Sequence, residues 1–218
     1  MNETTRRAHD TVDESVDLDT LPRSIPDGSV ICVARSSPLT DNALPLRITE
    51  RYAAPDDCRI IVTTATDADE TIAQQNAITP TGEHRVGVID TTADDHVESL
   101  YQEHPTISLA RTGELTQITL ALWDLEEALS TSCSTPHVIV RSLTPTLEQA
   151  GLERLTNVLE SVIEHQRAAG SLTVFGIEYT AHDERTMAAL ETLVDGIVWV
   201  ERTGQGDLEL EYRRTHHR

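Results

Sequence analysis

Lysine is absent from this chain of 218 residues, and its 17 basic side chains are all arginine. They are outnumbered by 37 aspartates and glutamates, which gives a formal net charge of -20. Without lysine the chain cannot form the loop G-x-x-x-x-G-K-[ST], in which a lysine contacts the terminal phosphates of a nucleotide. The acidic balance also disfavours direct binding of nucleic acid, because that binding relies mainly on clustered Lys and Arg.

Long apolar runs are absent as well. No stretch approaches the ~20 apolar residues of a membrane-spanning helix, and the N-terminus has no apolar signal-peptide core. We therefore expect a soluble, cytoplasmic protein without membrane contact. Its one Phe, two Met and many carboxylates are typical of a halophilic protein, since the salt of such a cytoplasm screens the repulsion between like charges.

The chain has three cysteines, Cys32, Cys58 and Cys133. They are odd in number, widely spaced, and lie in or beside apolar runs. This placement predicts reduced thiols that pack as small hydrophobic residues, and it argues against a disulfide framework or a metal site.

Other candidate site residues carry weak signals. The nine histidines include no H-x-x-x-H on one helix face, the spacing expected of a helical metal site. Ser142 follows a predicted strand, but G-x-S-x-G is absent, so this serine is expected to cap or hydrogen-bond rather than act as a nucleophile. We therefore expect no metal, no cofactor and no catalytic residue.

The chain divides at Gly28. Residues 1–27 are acidic and broken by two prolines, which predicts a disordered N-terminal extension. Residues 28–214 alternate short apolar strands with amphipathic helices and form one predicted domain. The predicted strands are 29–34, 59–64, 85–90, 106–109, 137–141 and 172–177, and the predicted helices are 43–52, 67–76, 115–129, 152–168 and 183–194.

This alternation predicts the fold class. Uniformly apolar strands that alternate with helices indicate an α/β domain with a doubly wound, mainly parallel sheet covered on both faces. The last two segments are 196–200, which is apolar, and 208–212, in which apolar and charged residues alternate. They predict an antiparallel hairpin at one edge of the sheet, with one face exposed to water.

Several segments, taken in order, resemble the KaiC-like and RadA-like branch of RecA-fold ATPases, and in particular its divergent halophilic-archaeal members. They are the strand, loop and helix at 29–52, Leu115-Thr-Gln-Ile118 after a Thr-Gly pair, Arg141-Ser-Leu-Thr144, and the stretch from Ala169 to Val200. The resemblance covers about residues 28–214. It implies a RecA-like P-loop fold and, in an active member, binding of Mg-ATP.

The nucleotide-binding residues of that family are replaced in this chain. In the family's pattern the first strand leads into the P-loop, whose first Gly falls on Arg35, second Gly on Thr40, Lys on Asp41 and Ser/Thr on Asn42. A residue other than Gly at position 40 disfavours the close backbone approach that phosphate requires. Asp41 adds a negative charge that would repel a phosphate about 4 Å away by about 4 kcal/mol at an effective dielectric constant near 20.

The metal-binding strand has changed too. The Walker B strand, whose terminal Asp orders Mg²⁺ in the family, corresponds to 138–141 and ends in Arg141. The acidic residues that activate water in KaiC-like enzymes correspond to Thr63-Thr-Ala-Thr66. We expect a pseudo-ATPase, not an enzyme, and we expect Asp41 and Arg141 to pair in the vacated crevice.

Without an active site, the function is expected to reside in surfaces. The first hypothesis is a regulatory or signalling interaction module that binds a protein partner, or a second copy through the oligomer face of the RecA fold. The second is a ligand-binding sensor whose crevice takes a smaller metabolite. The third is a residual ATP-binding accessory to a KaiC-like or RadA-like ATPase.

Overall fold

The computed structural model of the chain describes residues 16–36, 43–79, 85–100, 103–111, 113–203 and 207–215. The strands are β1 (Val30–Arg35), β2 (Cys58–Thr63), β3 (Val86–Asp90), β4 (Val97–Ser99), β5 (Thr106–Ser108), β6 (Pro136–Val140), β7 (Thr173–Glu178), β8 (Gly196–Arg202) and β9 (Leu208–Arg214). The helices are α1 (Leu44–Tyr52), α2 (Ala68–Ile78), α3 (Leu115–Leu129), α4 (Thr144–Ala150), α5 (Leu152–Ala168) and α6 (Glu184–Glu191), with short 3-10 helices at Leu18–Thr20 and Tyr179–Ala181.

The strands form one sheet in the order β4-β5-β3-β2-β6-β7-β1-β8-β9. All pairs from β5 to β8 are parallel, whereas β4 and β9 pair antiparallel with their neighbours. The predicted doubly wound, mainly parallel sheet and its antiparallel edge hairpin β8-β9 are therefore confirmed. The short antiparallel edge strand β4 was not predicted, because three residues are too few for a periodic pattern.

Helices cover both faces of the sheet. Alternate residues of a strand point to opposite faces, and in β1 Cys32 packs in a core cluster with α5 and α6, whereas Val33 packs in a cluster with α1. α1 and α2 lie on one face, and α3, α4, α5 and α6 lie on the other. The apolar character of both strand faces follows from this double covering.

Local signals in the sequence set several helix ends. The side chain of Asp67 accepts a hydrogen bond from the backbone N–H of Glu70 at 2.8 Å, so α2 begins at the predicted Asp cap. Gly170 follows α5 with φ +72°, the left-handed conformation that glycine adopts at helix ends without steric cost. α4 was not predicted, because its seven residues are too short for a helical period to show.

Residues 16–27 fell within the predicted disordered extension, but the structure packs them against the domain. Leu21 is buried in the core cluster beside α1, and the hydroxyl of Tyr52 donates a hydrogen bond to the carbonyl oxygen of Pro22 at 2.8 Å. The contact with the domain is made by apolar side chains, which the acidic composition of the segment does not indicate. They are Val16, Leu18, Leu21 and Ile25. Residues 1–15 lie outside the described residues.

The prediction of three reduced cysteines is wrong in one respect: Cys58 and Cys133 form a disulfide. Cys58 begins β2, and Cys133 lies just before β6, its parallel neighbour in the sheet, so strand pairing brings the two together. Cys32 is a buried free thiol in β1, as predicted, and burial raises its pKa to about 12.

A second link at the amino ends of β2 and β6 joins His137 to Asp57. The ring Nδ1 accepts a hydrogen bond from the backbone N–H of Leu172 at 3.0 Å, so the proton of the neutral ring resides on Nε2, which lies 3.0 Å from Asp57 Oδ2. Burial lowers the pKa of His137, although the hydrogen bond and charge of Asp57 oppose that effect. The site is therefore built for the neutral imidazole.

No helix among the described residues is long and apolar enough to cross a membrane.

The disulfide predicts a stability loss on reduction. It closes a segment of 75 residues, and a cross-link of that span contributes about 4 kcal/mol in the chain-entropy description. We expect dithiothreitol to lower the melting temperature by roughly 8–16 °C. Thiol titration in denaturant without reductant should find one free thiol, that of Cys32. Three free thiols, or a melting temperature insensitive to reductant, would contradict the disulfide.

The neutral His137 predicts a pH dependence of stability. Its folded pKa lies below the unfolded value near 6.5, so its stabilising contribution is complete above pH ~6.5 and is lost as pH falls toward the folded pKa. We expect the difference in unfolding free energy between the wild type and His137→Asn to shrink from pH 7.5 to pH 5. His96→Asn, at an exposed position, is the control. A difference that stays constant would argue against a neutral, buried imidazole.

Candidate functional site

The candidate site lies at the carboxyl edge of the parallel strands, where doubly wound sheets bind ligands. Arg35 ends β1, Thr63 ends β2, Asp90 ends β3, Glu178 ends β7, and Arg141 follows β6 directly. The strand order puts β6 and β7 between β2 and β1, so these residues lie along one edge although they are distant in the sequence. Of the predicted site residues, Arg35 and Arg141 lie here.

Arg141 is held in a polar environment at this edge. The residue is only 2% exposed. Its Nη1 donates hydrogen bonds to the hydroxyl oxygens of Thr66 and Thr71, the latter at 3.0 Å. Its Nη2 donates to Oε1 of Gln74 at 2.7 Å. The position at which the resemblance predicts a Walker B carboxylate therefore holds a guanidinium directed into the start of α2.

The backbone of Arg141 is held equally closely. Its N–H donates to the carbonyl oxygen of Val62 at 3.0 Å, and its own carbonyl oxygen lies so near Gly176 that any side chain there would collide with it. The N–H of Leu143 in turn donates to the carbonyl oxygen of Gly176 at 2.8 Å. These contacts fix the segment after β6 between its two neighbouring strands.

The sequence did not reveal the side chains that hold Arg141. Thr66 was noted only because it occupies the family's acidic segment, and Thr71 and Gln74 lie on a helix whose inward face was expected to be apolar. α2 instead buries Thr71 and Gln75 among its few inward residues. Polar residues at helical spacing on the inward face of this helix are the signal that could have identified Thr71 and Gln74.

Arg35 presents a different environment. The residue is 4% exposed, yet its Nε and Nη1 have no hydrogen-bond partner among the residues that the structure describes. Burial lowers the pKa of this guanidinium, while the negative charge of Glu178 on the neighbouring strand raises it. A buried guanidinium with two nitrogens that lack an acceptor among the described residues leaves positive potential at the end of β1.

The other residues that the resemblance places on the P-loop, Thr40, Asp41 and Asn42, lie outside the described residues. The proposed pairing of Asp41 with Arg141 therefore stays a prediction.

Asp90, at the end of β3, is a carboxylate at this edge that no sequence motif marks. Its Oδ2 accepts a hydrogen bond from the N–H of Ala68 at 3.0 Å, and its Oδ1 accepts from the N–H and hydroxyl of Thr92 at 2.8 and 2.7 Å. It is 5% exposed. Both oxygens hold the backbone in place, so Asp90 acts as a structural cap at the start of α2.

Two further features bear on ligand binding. Among the described residues, no group of three or more His, Cys, Asp or Glu is arranged to hold a metal ion. A cavity of about 580 Å³ opens at the opposite, amino edge of the sheet, where Ile25, Ile31 and Tyr212 line it beside the ion pair of Arg167 with Asp195. None of the predicted site residues lines this cavity.

The hydrogen bond between Arg141 and Thr71 predicts that substitutions at these two residues have non-additive effects on stability. We expect Thr71→Val to lower the free energy of unfolding by about 1–3 kcal/mol, because a buried guanidinium loses an acceptor. Thr116→Val, at an exposed position of α3, is the matched control and should change it by less than about 0.5 kcal/mol. Combining Thr71→Val with Arg141→Met should cost less than the sum of the single changes. Additive effects in denaturant unfolding would exclude this coupling.

The fold and the site can be compared with known proteins. A crystal structure of the KaiC-like protein PH0186 from the hyperthermophilic archaeon Pyrococcus horikoshii OT3 matches with a TM-score of 0.54 at 12% identity, covering 88% of this chain and 82% of that chain. This likeness establishes a KaiC-like, RecA-type fold. A search of curated protein sequences finds no match. A family model matches residues 28–200, and the chain therefore belongs to the family of unknown function DUF7504.

Proposed function

We propose that this protein is a non-catalytic, KaiC-like pseudo-ATPase domain that acts as a regulatory or signalling interaction module in a halophilic archaeon. The observation that carries the proposal is the environment of Arg141. Its guanidinium is buried and bonded to Thr71 and Gln74 at the position where a RecA-type ATPase uses a carboxylate to order Mg²⁺. A fixed cation there repels a divalent metal instead of binding it.

The other parts of an ATPase site support the same proposal. Phosphoryl transfer depends on a lysine and a metal ion that neutralise the phosphates, together with a residue that positions the nucleophile. The chain has no lysine. Thr63 and Thr66, in the segment that should supply the acidic residue, are bonded to each other through their hydroxyls at 2.9 Å. These substitutions affect all three parts of the site together.

The assignment to a halophilic archaeon is supported by the net charge of -20 on 218 residues. High salt shortens the Debye length to about 3 Å at 1 M and so reduces the repulsion that this charge creates. The protein's function should accordingly be measured in molar KCl.

A ligand-binding sensor is the second candidate function, and Arg35 favours it. Two nitrogens of this buried guanidinium have no acceptor among the described residues. An oxyanion bound without Mg²⁺ at the end of β1 would supply that acceptor. This ligand would be smaller than a nucleoside triphosphate.

Calorimetric titration in molar KCl tests the proposal. We expect no binding of Mg-ATP at millimolar nucleotide, because the residues that would hold the phosphates and the metal are replaced. A Mg²⁺-dependent Kd below about 100 μM, or roughly 5.5 kcal/mol of binding free energy, would overturn the pseudo-ATPase assignment and favour a residual ATP-binding accessory.

The same titration separates the two candidate functions. Inorganic phosphate that binds the wild type but not Arg35→Leu would favour the sensor. A partner retained in a pull-down from a halophilic archaeal lysate in molar KCl, with neither phosphate nor Mg-ATP bound, would favour the interaction module.

A further inference from the structure

α3 exposes two large apolar side chains one turn apart. Leu120 is 51% exposed and Trp123 is 45% exposed, and Val97 on β4 is the other exposed large hydrophobic residue among those that the structure describes. Leu120 and Trp123 belong to none of the core clusters. The helix already buries a full inward face, made by Leu115, Ala121, Leu122, Leu125 and Leu129.

A half-exposed tryptophan is unusual in this chain. Aromatic residues make up 3% of the sequence, and the chain has two tryptophans. The other one, Trp199, packs edge-on against Tyr179 with ring centroids 5.1 Å apart. The core therefore accounts for Trp199 and leaves the exposure of Trp123 unexplained. Tryptophan is strongly enriched among the residues that dominate protein interfaces.

Each apolar side chain has a carboxylate one turn further along the helix. Asp124 follows Leu120, and Glu127 follows Trp123, by four residues, so each pair shares one ridge of the helix surface. These four residues form the α3 patch. Asp124 and Glu127 are exposed and have no hydrogen bond or ion pair from their side chains within the described part of the chain. Glu126, outside the patch, is bound to His165 at 2.9 Å.

One charge of the patch opposes the stability of the helix. Glu127 lies in the last turn of α3, which has no basic residue, and a carboxylate is unfavourable there because that end of the helix dipole is negative. Neither core packing nor helix stability thus explains the pattern of apolar anchors flanked by carboxylates. A cation supplied from outside would interact favourably with both the carboxylates and the end of the helix.

We propose that the α3 patch docks a basic, amphipathic segment of a protein partner. The apolar side chains of the segment pack on Leu120 and Trp123, and its arginines or lysines pair with Asp124 and Glu127. A second copy is disfavoured as the occupant, because it would bring the same carboxylates together. Nucleic acid and anionic membranes are repelled for the same reason. This inference rests on the proposed function, since it names the partner chemistry of the interaction module.

A defined peptide tests the docking. The probe is a fluorescein-labelled peptide of about 18 residues, long enough to form a helix, with leucines at helical spacing and arginines elsewhere. Binding is followed by anisotropy at several KCl concentrations. We expect Leu120→Ser and Trp123→Ser each to weaken binding about tenfold or more. Val97→Ser, at 54% exposure on the edge strand β4, is the matched control and should change the Kd by less than about twofold.

The contribution of Asp124 and Glu127 is measured by the dependence of the Kd on KCl concentration. We expect Asp124→Asn with Glu127→Gln to weaken binding and to make the Kd less dependent on KCl, because fewer ions are paired. A peptide with glutamate in place of arginine should not bind. Thermal melting of every variant establishes that it is folded, and all four changes lie at exposed positions.

Three results would overturn the inference. Equal weakening by Leu120→Ser and Val97→Ser would show general adsorption to an acidic surface. No detectable binding of the arginine peptide would exclude a basic partner. A dimer in analytical ultracentrifugation that Leu120→Ser abolishes would make a second copy the occupant. Mg-ATP titration of the same proteins separates the two proposals, since nucleotide binding would refute the pseudo-ATPase and leave the peptide result intact.

Discussion

The parallel pairing of the inner strands is the constraint on which the other features of this protein depend. Because parallel strands end at the same edge, Thr66 and Arg141 meet although 75 residues separate them in sequence. The same pairing brings the amino ends together, where Cys58 is bonded to Cys133. A covalent link thus ties the strands at one edge, while polar contacts around a buried cation tie them at the edge where ligands bind in this fold.

Three arginines, Arg35, Arg59 and Arg141, are buried in this chain without lysine, and each has a different environment. Arg59 donates to both carboxylate oxygens of Glu50, at 2.7 and 3.2 Å, and although burial alone would raise the pKa of Glu50, this arginine holds it below its usual value. Arg141 is surrounded by hydroxyl and amide oxygens, whereas two nitrogens of Arg35 have no acceptor among the residues that the structure describes. The guanidinium suits these sites because its five N–H groups form several directed hydrogen bonds.

The carboxyl edge and the α3 patch place charge in opposite ways. The edge buries the guanidinium groups of Arg35 and Arg141, and both carboxylate oxygens of Asp90 there accept hydrogen bonds from the backbone. The patch exposes carboxylates beside Leu120 and Trp123 on the outer side of a helix that already fills the core. Both arrangements motivate the proposal of an interaction module, since the KaiC-like fold by itself does not determine the function.

The sequence alone determined the order and type of most elements, because apolar residues at strand or helix period report which faces are buried. The predicted bounds of α3 and α5 match the structure, and the Asp67 cap does as well. Only the tertiary structure decided that Cys58 bonds to Cys133 and that Thr71 faces Arg141. Neither contact has a local signal, since each joins residues about 70 positions apart that become neighbours only when the strands pair in their final order.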